Sequence, residues 1–285
     1  ETRANWTGDE ARTYRLEKGA DELVVTVDVA KKVRKGEPFA FEFGLIATPV
    51  KRLQSNYPFD TLGNSHFSPL NRPGRRRLND VSLLEIDGVE HGDHGSFFGD
   101  QDTPDGRKRA NALRMSIDKL EKGHGARPVH YVNACHISVR YPEVAAYLND
   151  WMVKPDDAMD YNRTGHYVYN LCPTTTASDF GVWRTELMFR RNPELQGVYF
   201  DFGIVKGCSN PDHGCHDRIP LLAMREYYRR HIVIQVERGI REPVVVIHNT
   251  DCVQLPAETF VTHFLNGEHL WPQTSANLHD NRDVL

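Results

Sequence analysis

The chain has 285 residues, a formal net charge of -4, 39% hydrophobic and 26% charged residues, the make-up of an ordinary globular protein with no sequence-independent grip on nucleic acid or anionic lipid. No apolar run approaches the roughly 20 residues that cross a bilayer, so neither nucleic acid nor a membrane is expected as a partner. The length admits one large domain, or one domain with a small appendage.

The first pattern along the chain is alternation. ELVVTVDV (22–29) and PFAFEFGLIATP (38–49) carry apolar side chains at every second position, with Phe39, Phe41, Phe43 and Leu45 on one face. They predict antiparallel strands joined through KKVRKGE (31–37), the edge of a β-sandwich. Residues 50–79 are rich in Pro, Asn, Gly and Arg without a period and read as connecting loop. The RPGRRR cluster (72–77) within them reads as solvated, because no aromatic residues interleave with it.

From residue 80 the pattern becomes strand, polar loop, helix, strand. DVSLLEIDG (80–88) is an apolar run; the helix after it has Thr103 as N-cap, Pro104 in its first turn, Ala110, Leu113, Ile117 and Leu120 on one face, and Gly123 past its end. PVHYVNACHIS (128–138) is the next strand, followed by a long loop through Trp151 and the strand HYVYNLCP (166–173). A second helix runs from about Ser178 to Phe189, then the strand GVYFDFG (197–203), then a helix carrying Leu221, Met224, Tyr228 and Ile232 to a stop near Gly239. PVVVIHN (243–249) and THFLNGEHL (262–270) complete the series.

Strands that alternate with helices pair in parallel and are buried on both faces. The series is two strands short of a closed (β/α)8 TIM-type barrel. The expected fold class is therefore α/β, a TIM-type barrel incomplete in this chain (49–285), preceded by the last strands of a β-sandwich (1–48). A Rossmann-like sheet is disfavoured, since no GxGxxG follows any predicted strand.

In such folds chemistry gathers at the carboxyl ends of the strands. The polar residues that end these strands are Glu85 and Asp87, His136, Cys172, Asp201, His248 and Asn249, and Glu268. Alternation along GVYFD sends Val198 and Phe200 one way and Tyr199 and Asp201 the other. Two carboxyl groups across a cleft, one ionised and one protonated, are the minimum equipment for glycoside hydrolysis. Asp201 is the candidate nucleophile, base or stabiliser, and Glu268, near Trp271, the candidate general acid. Tyr199, His248, Asn249, Trp271, Glu85, Asp87 and His216 are expected to contact the carbohydrate substrate, with no cofactor and no metal.

The segment GCSNPDHGCH (207–216) admits three readings. A disulfide between Cys208 and Cys215 would close a modest loop and suit an exported protein. A metal site would use the spacing C-x4-H-x-C-H, which matches no standard zinc pattern. Free thiols are the third.

LIATPVKRL (45–53), GVYFDFG with its following Cys and HGC loop, LLAMREYYRR, VVVIHN and FLNGEHL together resemble the glycoside hydrolase 123-like proteins, also classed as the domain of unknown function DUF6067. The resemblance covers most of residues 37–271. It implies a β-sandwich followed by a TIM barrel in a secreted or periplasmic bacterial carbohydrate-active protein, this chain beginning inside the sandwich. N-acetylgalactosaminidases of the broader family resemble other hexosaminidases in using an adjacent Asp-Glu pair. Here Asp201 is followed by Phe202, and Glu268 takes the acid's place. The alternatives are a noncatalytic carbohydrate-binding barrel, or a metal-dependent hydrolase or lyase using the Cys/His loop or Glu85, Asp87 and His136; an oligomer is compatible with each.

Overall fold

The computed structural model describes residues 14–27, 36, 62–64, 83–86, five helical positions between 104 and 115, most of 127–248, and 254–265. The chain divides into two compact units, Glu1–Ala47 and Thr48–Leu285.

In the first unit β1 (Tyr14–Lys18) and β2 (Leu23–Val27) form an antiparallel hairpin, Tyr14 opposite Val27. Its turn is closed by Gly19 N–H donating to the Glu22 carbonyl at 2.9 Å. β2 falls in the alternating stretch, but its described partner is YRLEK, whose short alternation of Tyr14 and Leu16 with Arg15 and Glu17 falls in no expected strand. A short turn closes at less entropic cost than the longer connection expected from residues 31–37; that connection and the strand expected over 38–49 lie outside the described residues.

The second unit is built on a six-stranded sheet in the order β11-β10-β9-β5-β4-β3, every neighbouring pair parallel. Its strands are β3 (Leu62–Asn64), β4 (Leu83–Ile86), β5 (Arg127–Asn133), β9 (Gly197–Asp201), β10 (Val244–His248) and β11 (His263–Leu265). Between β5 and β9 the chain makes an excursion: β6 (His136–Ser138), α1 (Pro142–Trp151), β7 (Ala158–Tyr161) and β8 (His166–Asn170), the strands forming a separate antiparallel sheet in the order β6-β8-β7. α2 (Ala177–Arg191) then leads back to β9, and α3 (Leu221–Glu237) joins β9 to β10.

Two assignments change places here. HYVYNLCP is not a wall strand: only residues 162–165 separate β7 from β8, too few for the crossover that parallel pairing needs, so the two pair antiparallel. The wall instead takes β3 from the stretch read as loop, where Leu62 is the only large apolar residue in LGN and no pattern could show it. The run 128–138 is likewise two strands, β5 and β6, belonging to different sheets.

The faces of the parallel sheet differ. Val198, Phe200, Val245 and Ile247 face α2 and α3 and pack with Val182, Met188, Phe189, Met224, Tyr227 and Tyr228 in the largest core cluster. Val129, Tyr199, Val244 and Val246 make a smaller cluster with Tyr131 on the opposite, inner face. Helical positions Pro104, Arg107, Lys108, Asn111 and Met115 are exposed, the three- and four-residue spacing of a solvent face. The apolar set expected opposite them, Ala110 to Leu120, lies outside the described residues.

α3 ends where the sequence places its stop. Gly239 takes φ +81, a left-handed conformation that glycine adopts without Cβ strain. Its N–H donates to Val236 O at 2.9 Å and Ile240 N–H to Gln235 O at 3.0 Å, which satisfies carbonyls the helix would otherwise leave open. The fully buried Gln235 side chain also reaches β10, its Oε1 accepting from Val244 N–H at 2.8 Å and its Nε2 donating to Val244 O at 3.0 Å.

Candidate active site

Three adjacent wall strands place the site. Register sets Tyr131 opposite Tyr199, and Asn133 opposite Asp201, while Val246 lies opposite Tyr199 on the other side. Side chains of equal height on the inner face therefore come from β5, β9 and β10, and the last inner-facing residues of β9 and β10 are Asp201 and His248.

The Asp201 carboxylate is engaged at both oxygens. The Tyr131 hydroxyl donates to Oδ2, and His248 Nδ1 lies 2.9 Å from Oδ1. The two side chains are 18% and 12% exposed for Asp201 and His248 respectively, open enough to meet a ligand. Donors at both oxygens favour the ionised carboxylate. With Nδ1–H given to Asp201, the neutral His248 ring carries its lone pair on Nε2.

The layer beneath fixes these groups. Tyr131 and Tyr199 stack with ring centroids 5.3 Å apart, and Tyr199 lies tilted against His248 at 6.5 Å. The chain leaving β9 is tied down as well: Ala134 N–H donates to Asp201 O at 3.1 Å, Gly203 N–H to His248 O at 3.1 Å, and the Tyr228 hydroxyl to Gly203 O at 2.7 Å.

Of the residues expected at the site, Asp201, His248 and Tyr199 come together. Tyr199 is 3% exposed, its ring stacked on Tyr131 and tilted against His248. Glu85 belongs to β4 opposite Val129, two positions before Tyr131 along β5, and His136 opens β6. Asp87, His216, Asn249, Glu268 and Trp271 lie outside the described residues. Trp183, on α2, is 46% exposed.

Cys208 and Cys215 are not joined. Both are free and buried, as is Cys172, and the nearest sulfur to Cys215 is Cys172 Sγ at 3.8 Å. The correction has a topological reason: the end of β8 brings a third sulfur beside the loop.

Two residues of the site were missed in the sequence. Tyr131 and Asn133 share the inner-facing parity of Val129 in RPVHYVN, a signal that was available. Asn133 is 5% exposed, and among the described residues neither polar atom of its side-chain amide has a hydrogen-bond partner.

A cavity of ≈ 420 Å³ lies on the helix side of the sheet, bordered by His130, Val132, Phe180, Trp183, Arg184 and Tyr227 among others, and does not include Asp201. It follows the seam between β5 and α2. The convergence of ionisable groups with fixed orientation, not cavity size, makes the strand tips the candidate site. Among the described residues no helix is long and apolar enough to cross a membrane.

No family model matches the chain, and no curated protein matches its sequence. Solved structures with a similar fold include an alpha-galactosidase from Thermus thermophilus in complex with stachyose, at TM-score 0.44 and 12% identity over 75% of this chain and 44% of that one. An alpha-N-acetylgalactosaminidase from Bifidobacterium bifidum is similar at TM-score 0.43 and 15% identity, over 63% of this chain and 28% of that one. A cycloisomaltooligosaccharide glucanotransferase from Paenibacillus sp., complexed with cycloisomaltoheptaose, is similar at TM-score 0.43 and 11% identity, over 61% of this chain and 26% of that one. The chain thus spans less than half the length of each of these proteins.

Proposed function

We infer that the protein is a glycoside hydrolase of the TIM-barrel type, with a barrel over 49–285 after the last strands of a β-sandwich (1–48), working outside the bacterial cytoplasm. The observation that carries the activity is the Asp201 carboxylate at the carboxyl end of β9, held at one oxygen by Tyr131 and at the other by His248. A fixed, ionised carboxylate facing a saccharide can attack the anomeric carbon or stabilise the oxocarbenium character that develops there.

Asp201 acts as nucleophile, base or stabiliser, and Glu268, which follows β11 in the chain, as the acid that protonates the leaving oxygen. A separation between their carboxyl groups of about 5 Å belongs to retention of configuration and one of roughly 6.5–9.5 Å to inversion. His248 Nε2 is the group offered to sugar hydroxyls, with Asn249 and Trp271 assigned beside it.

The test is a panel of aryl glycosides and polysaccharides assayed with the wild type and Asp201→Asn. The variant keeps the shape of the side chain and removes its charge. Turnover is expected to fall by on the order of 10³-fold or more with an unchanged far-ultraviolet circular dichroism spectrum. Undiminished turnover in a folded Asp201→Asn protein overturns the assignment.

A further inference from the structure

The loop after β9 contains Cys208, His213 and Cys215, and Cys172 comes from just past β8, 43 residues upstream of Cys215. Cys172, Cys208 and His213 each present one ligand atom, all within 4.8 Å of one another. Cys208 Sγ is 3.3 Å from His213 Nδ1, and Cys172 Sγ is 3.8 Å from Cys215 Sγ. Two sulfurs bound at about 2.3 Å to a tetrahedral centre lie about 3.8 Å apart, and a sulfur and an imidazole nitrogen somewhat closer. The Cys208–His213 and Cys172–Cys215 separations match edges of such a tetrahedron; Cys215 stands outside the 4.8 Å group and closes on it as the fourth ligand when an ion binds.

The surroundings are arranged for the same purpose. His213 Nε2 is 2.7 Å from the Asp150 carbonyl, so Nε2 carries the proton and Nδ1 turns its lone pair toward the sulfurs, the outer hydrogen bond that orients metal-binding histidines. The Thr174 hydroxyl lies 3.0 Å from Cys172 Sγ and 3.5 Å from Cys215 Sγ. This donor suits thiolates.

The loop is also docked before any ion arrives. Ser209 and Asn210 N–H donate to Val153 O at 2.9 and 3.0 Å, and Asn210 Nδ2 donates to Met152 O at 3.0 Å. Gly214, at φ +65, makes the left-handed turn that brings Cys215 back beside His213.

We propose that Cys172, Cys208, His213 and Cys215 form a tetrahedral Cys3His site for zinc that clamps the β9–α3 loop to the end of β8 and to α1. Binding of Zn²⁺ displaces the three thiol protons to solvent and takes His213 as neutral imidazole, so the filled site carries a net charge of about -1, met by the Thr174 hydroxyl beside Cys172 and Cys215. The closed ligand set makes the site structural, since no position is left for water. It was invisible as a local motif because its fourth ligand is supplied by topology.

The full chain, purified without chelator, should contain about one zinc per molecule by elemental analysis. Exchange for Co²⁺ should give the intense visible bands and sulfur-to-metal charge-transfer absorption of a tetrahedral thiolate site. Cys208→Ser should lose both signals, Cys135→Ser and Cys252→Ser neither, and His213→Cys should retain the metal with altered bands. If Cys208→Ser does not fold, the wild-type stoichiometry and cobalt spectrum decide alone. A metal-free chain without a cobalt spectrum, or a disulfide among Cys172, Cys208 and Cys215 found by non-reducing mass analysis, overturns the proposal.

Discussion

Each face of the parallel sheet meets a histidine of different character, His231 from α3 on the helix side and His248 from β10 on the other, and their contrast separates a packing role from a candidate site role. On the helix side His231 is fully buried against Phe200, their rings edge to face with centroids 4.8 Å apart. Its Nδ1–H donates to Tyr227 O at 2.8 Å, and its Nε2 meets the Thr185 hydroxyl at 3.1 Å. On the inner side His248 stands at the strand tip, partly open, against a carboxylate. The same residue type is a packing piece where every bond is internal, and a candidate site group where it meets a carboxylate and solvent reaches it.

Alternation in one strand makes this division. Val198 and Phe200 go to the helices, Tyr199 and Asp201 to the interior, so neighbouring residues of β9 should fail in different ways. The largest expected effect is Phe200→Ala. It removes a fully buried ring from the main cluster and should cost about 3–5 kcal/mol in a urea titration, while the fraction that folds keeps its turnover. A stable but inactive protein would contradict the division.

The second effect is acid sensitivity on the helix side. Burial lowers His231 from its usual 6.5 to about 4, so the folded state binds fewer protons than the unfolded chain between these values. The contribution is present above pH 6.5 and is lost as pH falls toward 4, on the order of 3 kcal/mol in all. Burial likewise lowers His130 well below its usual value, adding a loss of the same sign. Unfolding midpoints measured from pH 7 to 4 should fall, and His231→Gln should flatten the slope; an unchanged slope would remove His231 from this role.

Tyr131→Phe sharpens the comparison from the inner side. It deletes one donor to Asp201 and keeps the stack on Tyr199. Stability should change by only about 1 kcal/mol, whereas kcat should fall by roughly 10- to 100-fold; the reverse ratio would make the contact structural. The smallest effect is expected at the surface, where Arg230 meets Asp179 across α3 and α2 at 2.7 Å with Asp179 64% exposed. Arg230→Ala should cost less than about 1 kcal/mol.

How far the sequence discloses this molecule depends on the range of each signal. The inner-facing direction of Asp201 is legible because period-2 alternation is local, and α2 and α3 are legible because their apolar spacing and the Gly239 stop are local too. β3 is not, since three residues with one large apolar side chain show no period. The assignment of β8 fails for a different reason: its composition suits either sheet, and only the short link from β7 decides the pairing. Cys172 was visible as a strand-end residue, but nothing local tells it to meet Cys215 rather than leave Cys208 and Cys215 as a pair. Likewise, the Tyr131 hydroxyl reaches Asp201 across a separation of 70 residues, a meeting set by register alone.

The Gln235 amide bonded to both backbone groups of Val244 has an implication for how this scaffold can vary. It works as a peg: α3 cannot creep along β10 by a fraction of a turn, because a small slide forfeits two bonds in a water-free seam and recovers neither until the next peptide unit comes into line. Variation should therefore accumulate as loop replacement beyond the strand tips, while the height of His248 above the sheet floor stays constant from one descendant sequence to the next.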